Sequence, residues 1–215
     1  MIHEGKEISL PFTGDGAMGV GKPLKSILHM NPDIPIWLGT GMESTVKLTA
    51  EIADGWLPLG LVPENYKLYE PWIQEGLQKA GKDASQFEAQ SGAAVIVTDD
   101  VKNALDRLKP NIALYVGGMG HKNKNFHKEM MIRRGFGDAA ERIQELYLDK
   151  RKDEATDAVP DEFVDQGALV GDRERIQKRF RDWEDGGITG LTINGNEEAL
   201  RLMAEVARLN VDPRA

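Results

Sequence analysis

The chain has 215 residues, of which 40% are hydrophobic and 29% charged, with a formal net charge of -8. That length suits one domain with a sizeable core or a large part of one, and the acidic balance argues against a nucleic-acid footprint or a polybasic membrane surface. There is no cysteine, which excludes disulfides, thiolate nucleophiles and cysteine–zinc sites.

The opening "MIHEGKEISLPFTG" has no basic start followed by an apolar core, so no signal peptide is expected. Apolar runs such as "GAAVIV" are far too short to cross a bilayer, and a cytoplasmic location is the expectation. Residues 1–33 read as an irregular lead-in, because "PFTGDGAMGVGKP" packs four glycines between two prolines. The glycines at 14, 16, 19 and 21 follow no convincing buried strand, and a phosphate loop needs strand–turn–helix context.

From Ile34 an alternation begins. "IPIWLG" reads as a buried strand and "STVKLTAEIA" as a helix with Val46, Ala50 and Ala53 on one face. "GWLPL" is a second strand. "PENYKLYEPWIQEGLQKAG" reads as two helical pieces, with Pro71 opening the second. "GAAVIVTD" is a third strand, apolar throughout as if both faces were covered, and a helix follows it, capped by Asp99 or Asp100. Residues 117–171 read as a helical insertion, in which Ala140, Ile143 and Tyr147 align on one helix face. A helix capped by Asp172 then sets Ile176, Phe180 and Trp183 toward the core. "ITGLTIN" is a fourth strand, and "NEEALRLMAEVARLN", capped by Asn196, closes the chain. Four such units imply parallel strands with right-handed crossovers. A small doubly wound sheet or half of an eightfold barrel would hold them.

The candidate site is "LGTGMEST", between the first strand and its helix. Thr40 and Glu43 have capping-box spacing, which needs no ligand. A helix start with free amides beside glycines also makes an anion seat. Glu43 would compete with an anion for those amides, and the two readings coexist if it points outward. His121 and His127 flank a lysine-rich loop without a nearby carboxylate and read as a solvated loop, so no metal site is expected. Trp37, Trp56, Trp72 and Trp183 lie on apolar stripes and read as core, although Trp37 and Trp56 stand where they could border a cofactor. No catalytic triad or paired carboxylates stand out.

These residues carry a resemblance. "IPIWLGTGMESTVKLTAEIADGWLP" resembles the strand–loop–helix–strand segment of luciferase-like monooxygenases, and "LVGDRERIQKRFRDWEDGGITGLTI" resembles their C-terminal segment. "GKPLKSILH", "LYVGGMGHKNKNFHKEM" and "AVPDEFVDQGALVG" resemble the branch that uses coenzyme F420, a deazaflavin. The resemblance implies a TIM-barrel α/β fold of the bacterial-luciferase type. This chain would form its C-terminal half, a single partial barrel domain over 1–215 with about four βα units and the helical insertion. It implies an oxidoreductase transferring hydride with F420, with flavin-dependent monooxygenation on FMN as the alternative. A further alternative is a non-catalytic half-barrel that binds or assembles. Gly39, Thr40, Gly41 and Met42 would hold the cofactor phosphate. A Gly-Pro-Lys is common in the family where this chain has Met42, Glu43 and Ser44, so a positive charge is lost there. The family's catalytic histidine or glutamate belongs to the half that has no counterpart here, and no catalytic residue is carried over. The implied partners are a small-molecule substrate and either a second copy of the chain or the missing N-terminal half.

Overall fold

The computed structural model describes residues 2–5, 9–29 and 31–208. It divides into two compact units, Met1–Ile34 and Pro35–Ala215. In the first, two short strands, β1 (His3–Glu4) and β2 (Ser9–Leu10), pair antiparallel, with His3 opposite Leu10. The remaining described residues of this unit form turns and irregular chain, as the glycine and proline content leads one to expect. Residues 1, 6–8 and 30, also read as irregular, lie outside the described residues, as do Leu209 and Asn210 at the end of the expected last helix.

The second unit is a parallel α/β structure. Strands β3 (Trp37–Leu38), β4 (Gly55–Trp56) and β5 (Glu88–Val97) pair in that order, and β7 (Gly190–Asn194) pairs with β5 from Gln90 to Ala94. These are the four expected strands. A fifth, β6 (Ala168–Gly171), pairs with β5 from Ala94 to Val97. Ala94 is in register with both Ala168 and Asn194, so β6 and β7 flank β5 on opposite edges. Residues 117–171, read as helical, therefore end in a strand. "ALVG" is only four residues long, and a short apolar run does not reveal its partner.

Helix α1 (Glu43–Ile52) joins β3 to β4, and α2 (Pro63–Ala80) joins β4 to β5. Five helices separate β5 from β6: α3 (Val101–Ala113), α4 (Phe126–Arg133), α5 (Gly137–Leu148), α6 (Lys152–Asp157) and α7 (Asp161–Gln166). A π-helical turn, Leu114–Gly118, follows α3. Helix α8 (Arg173–Asp185) precedes β7, and α9 (Glu197–Val206) follows it. None of the described helices is long and apolar enough to cross a membrane.

Side chains alternate along β5. Ala89, Ala93 and Val95 join the core formed with α1, α2, α8 and α9, where Trp56 and Trp183 are buried. Ala94 and Ile96 face the second core, built by α3 to α7. On that second face Glu88 and Gly92 are exposed. The strand is thus covered on both faces only toward its C-terminal end, not throughout as its composition suggests.

The expected caps form at Asp100, Asp172 and Asn196, each accepting from the amide three residues on. Pro71 behaves differently from expectation: it lies inside one continuous helix, and Pro63 opens it instead. The Pro71 ring is on the exposed side, while Tyr69, Ile73 and Leu77 are buried on the other. An interior proline costs a helix about 3 kcal/mol. Burying three large side chains at roughly 1.5–3 kcal/mol each outweighs that.

Candidate functional site

In open parallel sheets and barrels, ligands bind where strands end and helices begin. The first such junction here runs from Gly39 to Met42. Helix α1 starts at Glu43, with Met42 as its extended N-cap and no side-chain cap. The expected box of Thr40 and Glu43 is therefore absent, because Thr40 stands too far before the helix. Its hydroxyl lies 2.8 Å from that of Thr49, which in turn donates to the Thr45 carbonyl at 2.8 Å. Each hydroxyl has one proton, so Thr40 gives its own to Thr49. Glu43 turns to Lys47, 2.7 Å away, and Lys47 also meets Glu75 at 2.8 Å. The carboxylate is thereby drawn along the helix rather than into the loop, the condition under which helix start and anion seat are compatible.

The amides of Gly41, Met42, Glu43 and Ser44 have no backbone acceptor among the described residues. They are the orphan donors of a helix start. The Arg133 Nη1, at the end of α4, donates to the Gly41 carbonyl at 2.7 Å. Its Nε is buried without a partner, and it forms no ion pair with a described carboxylate. A positive charge therefore reaches the loop from 92 positions along the chain, where local sequence places none. Its only local signal is "IRRG", which reads as basic residues closing a helix before a left-handed glycine; Gly135 does have φ 90°.

The tryptophans divide. Trp56 is fully buried and donates from Nε1 to the Thr40 carbonyl at 2.9 Å, fastening the loop from beneath. Trp37 is half-buried over Gly55, where an added Cβ would fall 1.9 Å from its Nε1. The histidines divide as well. His121 is exposed on its loop. His127 is on α4 and packs against the Tyr115 ring at a centroid distance of 4.6 Å, and its burial holds its pKa below the ordinary value. Only His121 fits the solvated-loop reading.

Beside the loop's partner helix, a cleft of about 350 Å³ lies between the second face of β5 and helices α3, α4 and α7. Gly60 lines it; Leu59 does not and is largely exposed. At Gly60, φ is +64°, and an added Cβ would fall 2.6 Å from the Met130 sulfur, so a side chain is excluded there twice over. No histidine, lysine, aspartate or glutamate is among the described lining residues, so they present no evident proton donor or acceptor. A larger groove, about 540 Å³, opens beside the starts of α8 and α9. Its arginines are already paired, Arg173 with Glu205 at 2.5 Å and Arg201 with Glu197 at 2.7 Å, which leaves it a less suitable anion site than the glycine loop.

Residues 5–190 match the family model described as luciferase-like monooxygenase. A Mycobacterium tuberculosis protein named as a coenzyme F420-dependent oxidoreductase is 40% identical over 204 residues, covering 93% of this chain and 59% of that protein. The 5,10-methylenetetrahydromethanopterin reductase of Methanopyrus kandleri is 22% identical over 179 residues, covering 80% of this chain and 49% of the reductase. The solved structure of the coenzyme F420-dependent tetrahydromethanopterin reductase from Methanopyrus kandleri superposes with a TM-score of 0.70 at 21% identity, covering 99% of this chain and 57% of that one. An F420-dependent secondary alcohol dehydrogenase, solved with an F420–acetone adduct, gives a TM-score of 0.55 at 18% identity, covering 91% of this chain and 50% of that one. The parallel sheet and its helices thus share the fold of luciferase-like barrels over part of its length, and the chain spans about half to three-fifths of these relatives. With the family model matching well over half of its residues, the chain belongs to the luciferase-like monooxygenase family.

Proposed function

We propose that this chain is the cofactor-phosphate-binding part of a coenzyme F420-dependent oxidoreductase, and that Gly39, Thr40, Gly41 and Met42 hold that phosphate. The observation that carries the reading is the pairing of unsatisfied amides at the start of α1 with the Arg133 guanidinium at the Gly41 carbonyl. Free amides, the helix dipole and an arginine without a carboxylate form a donor set suited to an oxyanion. The relatives and solved structures named for F420 favour the deazaflavin over FMN. Both cofactors carry a phosphate, so the loop chemistry serves either.

The cofactor supplies the hydride chemistry when bound. Gly41 and Met42 offer amides, and Gly41 leaves the approach open. Gly39 lets the loop pass close to the Leu57 carbonyl, which an added Cβ would approach to 3.3 Å, and Thr40 contributes its backbone, since its hydroxyl proton is engaged with Thr49. Trp56 holds the loop in place through the Thr40 carbonyl, and Arg133 offsets the phosphate charge. No histidine, lysine, aspartate or glutamate is among the described lining residues of the cleft, and no acid–base residue is assigned. The substrate is a small molecule, and the ring is completed by a second copy or by a further segment. A cytoplasmic location accords with this reading.

Gly41→Asp is the direct test. A Cβ at Gly41 meets nothing within 4 Å, so the fold tolerates the change while the loop gains a negative charge. Cofactor fluorescence quenching should show binding by the wild-type chain and a loss of at least about tenfold in the variant, the scale of a charge-assisted hydrogen bond. Riboflavin, which lacks the phosphate, should bind more weakly than FMN. Equal affinities across these comparisons would refute the assignment.

A further inference from the structure

The cleft against β5 has a polarity unlike that of the rest of the molecule. Apolar residues, including Val62, Leu108 and Phe163, line it together with two arginines, Arg107 and Arg134. No aspartate or glutamate is among the described residues lining it, in a chain whose net charge is -8. Arg134 uses Nη2 on the Phe163 carbonyl at 2.8 Å and on Gln166 Oε1 at 2.9 Å, and Nε on the same Oε1 at 3.3 Å. Its Nη1 has no hydrogen-bond acceptor among the described residues and lies near Gly167, where an added Cβ would be 4.0 Å away. The guanidinium carbon lies 3.9 Å from the Phe163 ring centroid. Burial lowers the Arg134 pKa to about 10, and Glu64, the carboxylate that opposes this shift, is itself in contact with Arg179 at 3.4 Å. A half-buried cation without a carboxylate in contact is less well solvated than a free one, and an anion beside it relieves that cost. Arg107 is exposed and forms no ion pair with a described residue.

We infer that the cleft is a binding site for a small organic anion, with its carboxylate or phosphate held by Arg134 Nη1 and Arg107 and its apolar body lying against Phe163. The site is separate from the glycine loop, although α4 serves both: Arg133 reaches the loop and Arg134 the cleft. The inference does not depend on the cofactor assignment.

Calorimetric titration of the full chain with phenyl phosphate, phenylacetate and neutral benzyl alcohol tests it, the two anions distinguishing phosphate from carboxylate. At least one anion should bind, and benzyl alcohol should bind much more weakly. Arg134 also ties α4 to α7, so the variants avoid it. Arg107→Gln removes an exposed, unpaired cation and should weaken anion binding about tenfold, in line with a hydrogen bond to a charged group. Gly92→Leu fills the cleft from a position where an added Cβ meets only the Thr192 carbonyl, at 3.8 Å, and it should abolish binding. Phenyl phosphate can also seat at the glycine loop, so the titrations are repeated on Gly41→Asp, in which the cleft should still bind an anion. The inference is overturned if neither anion binds, if benzyl alcohol binds equally well, or if both cleft variants bind like wild type. Loss of binding in Gly41→Asp with retention in the cleft variants would place the anion at the glycine loop and overturn it as well.

Discussion

Lys109, on α3, is only 7% exposed, yet its side chain is polar and lies among carboxylates. Its ammonium meets Asp106 at 3.0 Å and also Asp161, at the start of α7. Lys102 contacts the same two carboxylates. Lys109 is the main cause holding the Asp161 pKa below its ordinary 3.8, and Lys102 the main cause for Asp106. A carboxylate lowered in the folded state stabilises that state above its unfolded pKa, and the contribution fades as pH falls through the folded value. Asp161→Asn leaves the buried ammonium with a single carboxylate. It should cost at most about 1 kcal/mol near neutral pH, because the Asp161 side chain is 43% exposed and Lys109 keeps Asp106 at 3.0 Å. That gap should narrow below about pH 4, where the wild-type carboxylates become protonated. Urea unfolding of both proteins across this range measures the effect. A gap independent of pH would mean that the pair does not stabilise the contact between α3 and α7.

Helices α1 and α2 approach each other through a missing side chain. A Cβ at Gly76 would fall 2.2 Å from the Lys47 carbonyl and 2.7 Å from the Ala50 Cβ. The contact lets Val46 and Ala50 of α1 and Ile73 and Leu77 of α2 share one core. Gly76→Ala would ordinarily favour a helix by up to about 1 kcal/mol. Here it must push the helices apart, and overpacking costs about 1–3 kcal/mol. Thermal unfolding should therefore show a lower midpoint for Gly76→Ala, and an equal or higher one would mean that the helices slide apart freely. The same two elements show how far local pattern extends. The face made by Val46, Ala50 and Ala53 is legible because 3.6-residue periodicity is local. The uninterrupted course of α2 through Pro71 is not, because the packing that compensates for the proline comes from other elements.

In the second unit the sheet remains open. Among the described residues β3 pairs only with β4, and β7 only with β5. Ile36, just before β3, and Leu57, just after β4, are 59% and 47% exposed. Unpaired strand edges beside apolar surface recruit other strands, and symmetric dimers are the commonest closed assembly. The chain should therefore self-associate and bind an apolar-surface dye, as light scattering behind a sizing column and dye fluorescence would show. A dye-silent monomer with one cooperative melt would contradict this expectation. Nor should the chain alone turn over cofactor with candidate alcohols or sugar phosphates. Robust turnover abolished by a substitution within it would reveal an acid–base group among these residues.

By itself the sequence determined whatever depends on near neighbours. Four of the strands, the helices around them, and the caps at Asp100, Asp172 and Asn196 follow from periodicity and side-chain chemistry within a few residues. The stretch from Gly39 to Met42 announces a strand-to-helix turn for the same reason. Tertiary structure alone decided what fills that turn and what surrounds it. Local spacing offered Thr40 and Glu43 as a cap, but Thr49 captured the first and Lys47 the second. Strand β6 is too short to declare its partner, and becomes a strand because the end of β5 offers a free edge. Arg133 at Gly41 and Arg134 in the cleft are adjacent in sequence, yet face different sites because α4 docks between them. Such approaches across the chain depend on how whole elements pack, and residue order alone does not record that packing.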